Sequence, residues 1–286
     1  MSNAKSAASS AGSSGPDAGA FLVATDGSGS AQHAAGLAIR LAAGQGRPVR
    51  GLYVVDEALV MDTYGRHEAE LGTTRRFSSR SDLIAYLQRR GTAALQWLEL
   101  QCEAAKVPVS VDLLMGNVAE LVRRQATEAG LLALGRRGHG HADDPQHLGH
   151  HFIAVAHRVN LPLLVGSSGS PPIQRLLLVC RDDHGDRRAA AWTARLQEGL
   201  AAVVSVLAPP GQDAALRTEL EAKGLAQFRM VPGSALTSED IGVAASRCRA
   251  DLLIVSNHRR SLLPGWLAGH PIDDLLRTTA LPVLIA

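Results

Sequence analysis

The chain has 286 residues, room for two domains of roughly 100–200 residues, each able to bury a core of its own. With 29 Lys plus Arg against 27 Asp plus Glu and a net charge of +2, it carries no electrostatic footprint for nucleic acid. Cys102, Cys180 and Cys248 are odd in number and far apart, no run reaches the roughly 18 apolar residues of a membrane helix, and the N-terminus lacks the apolar core of a signal peptide, so free thiols in the cytoplasm and no membrane partner are expected.

Met1 to Ala20 is mostly Ser, Ala and Gly, too poor in apolar surface to order itself, so a disordered segment is expected there. Phe21-Leu22-Val23-Ala24 reads as a strand ending in Thr25-Asp26-Gly27-Ser28-Gly29-Ser30, a turn rich in helix-capping residues. Ala34, Leu37, Ala38 and Leu41 recur at spacings of three and four, a helix that Gly44 and Gly46 stop. Val49 to Val55 reads as a strand, the segment through Thr74 as a variable loop, and Leu83, Leu87, Ala94, Leu95, Trp97 and Leu98 as part of a long helix. Val107 to Leu113 alternates like a strand, and a helix carrying Val118, Leu121 and Val122 follows Gly116-Asn117. Leu131-Leu132-Ala133-Leu134 is apolar throughout, as a strand buried on both faces of a parallel sheet is.

After a linker at Gly166 to Pro172 the order repeats in shorter form. Arg175 to Val179, Val203 to Leu207, Gln227 to Val231 and Asp251 to Val255 read as strands. Between them lie helices at Arg187 to Leu200 and Ala214 to Lys223, and a third bearing Ile241, Ala244, Ala245 and Cys248. Each half closes on one pattern: Leu148-Gly149-His150 running to Asn160-Leu161-Pro162-Leu163-Leu164-Val165, and Ala268-Gly269-His270 running to Ala280-Leu281-Pro282-Val283-Leu284-Ile285, offset by 120 residues (268 minus 148). The chain is a tandem duplication. Strands alternating with helices predict an α/β fold of two tandem Rossmann-like domains, residues 21–166 and 173–286, each a doubly wound, mostly parallel five-stranded sheet.

In such a sheet ligands sit outside the C-terminal ends of the strands where the winding reverses, which brings Thr25-Asp26-Gly27-Ser28 together with Gly135-Arg136-Arg137-Gly138. These residues, with Phe21 to Asp56 and Leu148 to Val165, resemble the universal stress protein family, and the likeness runs from about Phe21 to Ala286. The resemblance implies that the last strands, Pro162 to Val165 and Pro282 to Ile285, form the contact between domains. It also implies that the first half binds an adenine nucleotide, ATP or AMP. Asp26 and the Val55 region would lie near the adenosine and Gly135, Gly138, Gly149 and His150 near the phosphates, with Thr25 and Arg136 completing the set.

Glycines let backbone amides approach phosphates, and a helix N-terminus completes an anion site. Nucleotide-binding members of that family carry Gly-x-x-Gly, nine residues, then Gly followed by Ser or Thr. Here ten residues separate Gly138 from Gly149, His150 takes the hydroxyl position, and Asp143 and Asp144 place negative charge in the loop. The second half departs further, with Ser256-Asn257-His258-Arg259 in place of the glycine pair and His270-Pro271 after Gly269, so nucleotide is expected in the first half alone.

No general base, metal set or nucleophile supports an enzyme, and a ligand-responsive stress or signalling protein is expected. Two other readings stand beside it. One is a nucleotide-free member acting through protein contacts, as a partner-binding or structural protein or a homodimer. The other is a metal-responsive protein using His139, His141, His147, His150, His151 and His157, although solvated loop residues explain that tract more plainly. Asp26 also suits a turn or a cap, the glycines a tight turn, Ser28 and Ser30 caps, and Arg136-Arg137 a solvated pair. Trp97, Trp192, Trp266, Cys180 and Cys248 read as packing residues.

Overall fold

The structure, a computed structural model, describes residues 19–61, 77, 79–138, 148–167, 172–180, 186–211, 213–225, 227–233, 236–256 and 271–286. The expectations for residues 1–18, for most of the loop through Thr74, for His139, His141, His147, Asp143 and Asp144, for Trp266 and for Asn257 to His270 lie outside them.

Strand β1 (Ala20–Ala24) starts one residue before the expected boundary, because Ala20 already pairs with Ala129. Helix α1 (Gly29–Gln45) begins where the Ser28 side chain accepts from Ala31 N–H at 3.3 Å and ends at Gly46, whose φ of 60° is a left-handed cap. Gly44 does not stop the helix. Strand β2 (Val49–Asp56) leads into a short helix α2 (Glu57–Met61), absent from the sequence reading, and then α3 (Arg80–Ala104). Strand β3 (Val109–Gly116) starts two residues later than expected, because the Val107 N–H still closes the end of α3 on the Cys102 carbonyl. Helix α4 (Val118–Ala126), capped by Asn117, strand β4 (Ala129–Gly135), helix α5 (His150–Ala156) and strand β5 (Leu163–Gly166) complete the first half.

The second half runs β6 (Arg175–Val179), α6 (Asp186–Leu200), β7 (Val203–Ala208), α7 (Asp213–Ala222), β8 (Phe228–Pro232), α8 (Ser238–Cys248), β9 (Leu252–Val255), α9 (Pro271–Thr278) and β10 (Val283–Ile285). Pro232 is tolerated because β8 is an edge strand.

All ten strands form one sheet in the order β3-β2-β1-β4-β5-β10-β9-β6-β7-β8, so the halves are mirrored about its centre. Every neighbouring pair is parallel except the central one, where β5 and β10 run antiparallel. There Leu164 pairs with Leu284, its own counterpart 120 residues on, flanked by Leu163 with Ile285 and Val165 with Val283. This is the self-complementary register of an isologous contact, made within one chain.

Alternating strand residues feed two apolar layers. On one face Phe21, Val23, Leu131, Ala133, Leu164, Leu176, Leu178 and Leu284 pack under α1, α3, α6 and α7; on the other Leu22, Leu132, Leu163, Val165, Leu177, Leu253 and Val283 pack under α4, α5, α8 and α9. Both layers cross the midline without a break. Trp192 of α6 is fully buried, its ring centroid 6.0 Å from that of Phe21 in the other half, as its reading as a packing residue requires. Gly44 also meets Gly199 there, so that α1 and α6 approach closely.

Candidate functional site

The strand order reverses between β1 and β4, the point at which the C-terminal strand ends of such sheets form their ligand crevice. Side chains on the N-terminal turn of α1 hold the two loops together. Ser30 Oγ donates to the Arg137 carbonyl at 2.6 Å, Ser28 Oγ reaches the same oxygen at 3.1 Å, and Arg137 N–H returns to Ser30 Oγ at 3.3 Å. Asp26 closes an Asx turn by accepting from Ser28 N–H at 2.9 Å, and Thr25 Oγ1 accepts from Gly27 N–H at 3.0 Å. Across the crevice Gly149 N–H donates to the Arg136 carbonyl at 3.1 Å, which seats the start of α5 against the end of β4.

The glycines differ in what holds them there. A Cβ on Gly135 would lie 2.7 Å from Ala31 N and 2.8 Å from Ser30 Oγ, so this glycine lets α1 press onto β4. Gly138 has no such neighbour among the described residues. A Cβ there would meet only Asp26 Oδ2, at an ordinary 3.5 Å, and one on Gly149 would have nothing nearer than 3.6 Å.

Two of the anticipated residues turn away from the crevice. The Val55 side chain is buried with Tyr53, Val60, Leu87 and Leu95, so only its backbone is offered. Arg136 is not half of a solvated pair. It is fully buried, and its guanidinium donates to the Thr279 carbonyl and, at 2.7 Å, to the Leu281 carbonyl, both in the other half. Burial, aided by the charge of Arg137, pushes its pKa down to about 10, which leaves it cationic at neutral pH. Burial likewise pushes the Tyr53 hydroxyl up to about 12, against the pull of Arg90.

The rim holds a group that the sequence reading did not assign. Asp56, at the end of β2, accepts from Ala58 N–H at 3.0 Å and faces His151 Nε2 at 3.0 Å. Burial raises its pKa, but the hydrogen bond and charge of His151 outweigh that and hold the carboxyl below its ordinary value. His150, the anticipated phosphate-loop residue, is exposed and lies against His151 with ring centroids 3.9 Å apart and the rings tilted by 45°. The available signal was position: a carboxylate directly after a buried parallel strand, as Asp26 follows β1.

The universal stress protein family model matches residues 19–166, that is 148 of 286 residues. The chain belongs to the universal stress protein family. Among solved structures, a universal stress protein from Archaeoglobus fulgidus DSM 4304 superposes with a TM-score of 0.70 at 13% identity, over 94% of this chain and 96% of its own. A functionally unknown protein from Pseudomonas aeruginosa PAO1 gives 0.60 at 16% identity, over 94% and 92%. At these identities the likeness speaks for the fold, and it extends the family architecture over both halves. No curated protein sequence matches the chain. Among the described residues of this universal stress protein, no helix is long and apolar enough to cross a membrane.

Proposed function

We propose that the crevice of the first half binds an adenine nucleotide, ATP or AMP, and that the protein is a ligand-responsive stress or signalling protein rather than a catalyst. The observation that carries this reading is the undemanding packing at Gly138 and Gly149: among the described residues a Cβ would meet nothing nearer than 3.5 Å at either position, so packing does not require glycine there, whereas approach of a phosphate to backbone amides does. In this reading Thr25, Asp26 and the backbone at Val55 lie toward the adenosine, and Gly138, Gly149 and His150 toward the phosphates. Gly135 and Arg136 act by placing the loop. The two units span residues 21–166 and 173–286, only the first holds nucleotide, and the protein works in a reducing compartment where Cys102, Cys180 and Cys248 stay free.

A nucleotide-free, partner-binding role is the competing reading. The His151 to Asp56 contact favours it, because the contact stands at the rim where a base beside Val55 would enter. Calorimetry of the full chain with ATP and AMP separates the two. Nucleotide binding predicts saturable heat that Gly138→Trp weakens by at least about tenfold, or 1.4 kcal/mol, while its thermal midpoint stays that of the parent. Absence of heat with both nucleotides overturns the nucleotide reading.

A further inference from the structure

Two elements of the first half bring three metal-type donors to one point. Asp56 ends β2, a strand flanked by β1 and β3, and the Ala58 N–H on its Oδ1 fixes the carboxylate so that Oδ2 faces His151 Nε2 at 3.0 Å. His150 and His151 open α5 side by side. One donor atom from each of the three residues lies within 4.8 Å of the other two.

From this geometry we infer that Asp56, His150 and His151 bind a borderline divalent transition-metal ion of the zinc class. The donor set decides the class. Two imidazoles and one carboxylate suit zinc, nickel, copper or iron, whereas magnesium and calcium take oxygen ligands. The spacing agrees: zinc holds such donors at about 2.0–2.2 Å, so tetrahedral neighbours lie about 3.3 Å apart. The His151 to Asp56 separation of 3.0 Å is close to that, and the His150 donor atom lies within 4.8 Å of both. A hydrogen bond needs two of these groups; the adjacent His150 supplies the third ligand.

The support around the donors is also that of a metal site. The Ala58 N–H acts as an outer partner that orients a ligating carboxylate, and the Asp56 side chain is only 12% exposed. Three protein ligands leave the remaining coordination positions open toward solvent. The ion needs no nucleotide, since all three donors belong to the chain; because His150 is shared with the nucleotide reading, the ion is titrated in nucleotide-free protein, where failure of either reading leaves the other measurable.

The test uses the full chain, stripped with a chelator and free of nucleotide. It is titrated with zinc by calorimetry and with cobalt by visible absorption, which reports low-symmetry coordination directly. One ion per chain is expected, with the cobalt bands of a nitrogen and oxygen site. Loss of outer partners alone typically costs about 10–100-fold in affinity, so Asp56→Asn, His150→Ala and His151→Ala should each weaken binding by at least that much with an unchanged circular dichroism spectrum. A His139→Ala, His141→Ala, His147→Ala triple variant should bind as the parent does. No binding by the parent, parent-like affinity in Asp56→Asn, or loss confined to the triple variant would overturn the site.

Discussion

Arg136 Nη2 donates to the Leu281 carbonyl at 2.7 Å, so the loop that follows β4 in one half is tied to the turn before β10 in the other. The position 120 residues after Arg136 is Ser256, so the two halves do not repeat this arginine, although Arg188 of α6 donates to the Asn160 carbonyl before β5 at 3.4 Å. Hydrogen bonds from a charged donor contribute about 1.5–3 kcal/mol, and an apolar replacement leaves the Thr279 and Leu281 carbonyls without it. Arg136→Met should therefore lower unfolding free energy by about 1–3 kcal/mol. Arg136→Lys should recover only part, since an ammonium lacks the planar fork that reaches both carbonyls. Urea denaturation measures both; a Met variant as stable as the parent would remove the tie from the fold's energetics.

The glycines near the crevice divide into two kinds, and stability separates them. A Cβ on Gly166 would stand 2.3 Å from the Ser30 carbonyl oxygen and one on Gly135 2.7 Å from Ala31 N. Gly135→Ala and Gly166→Ala should each cost about 1–3 kcal/mol through overpacking against α1. Gly138→Ala should change stability by less than about 0.5 kcal/mol, the range of a substitution that disturbs no packing. Thermal midpoints of the three variants check this, and equal losses in all three would contradict the distinction drawn at Gly138.

His33 gives stability a pH dependence with a definite sign. Burial is the main cause that lowers its pKa, and Arg40 acts in the same direction. Its Nδ1 also accepts the Ser167 N–H at 3.1 Å, a bond that a proton on Nδ1 would break. Because the folded pKa lies below the unfolded value of about 6.5, the unfolded chain binds more protons in the interval between them, and stability rises with pH there. The contribution is complete above about pH 6.5 and is lost as pH falls through the folded value. Midpoints measured from pH 7.5 to 5 should fall less in His33→Gln than in the parent.

The strands were the most legible part of the sequence, because a strand buried on both faces is a short apolar run bounded by turn residues. Leu131 to Leu134 and Leu163 to Val165 are cases. The central pairing was implied by the family resemblance, and the repeat shows that both copies retained the final strand that makes it. Arg136 misled the reading because its partners lie 143 and 145 residues away, and a local window shows only two adjacent cations. Asp56 went unassigned for a similar reason: its significance depends on His151 of α5, and no periodicity links the end of β2 to the start of a later helix. The different constraints on Gly135 and Gly138 likewise depend on where α1 lies.

Native mass spectrometry of the full chain with ATP tests the nucleotide reading and the asymmetry between halves together. One ATP per chain is expected, absent in Gly138→Trp. Two per chain, or none with either ATP or AMP, contradicts a nucleotide site confined to the first-half crevice.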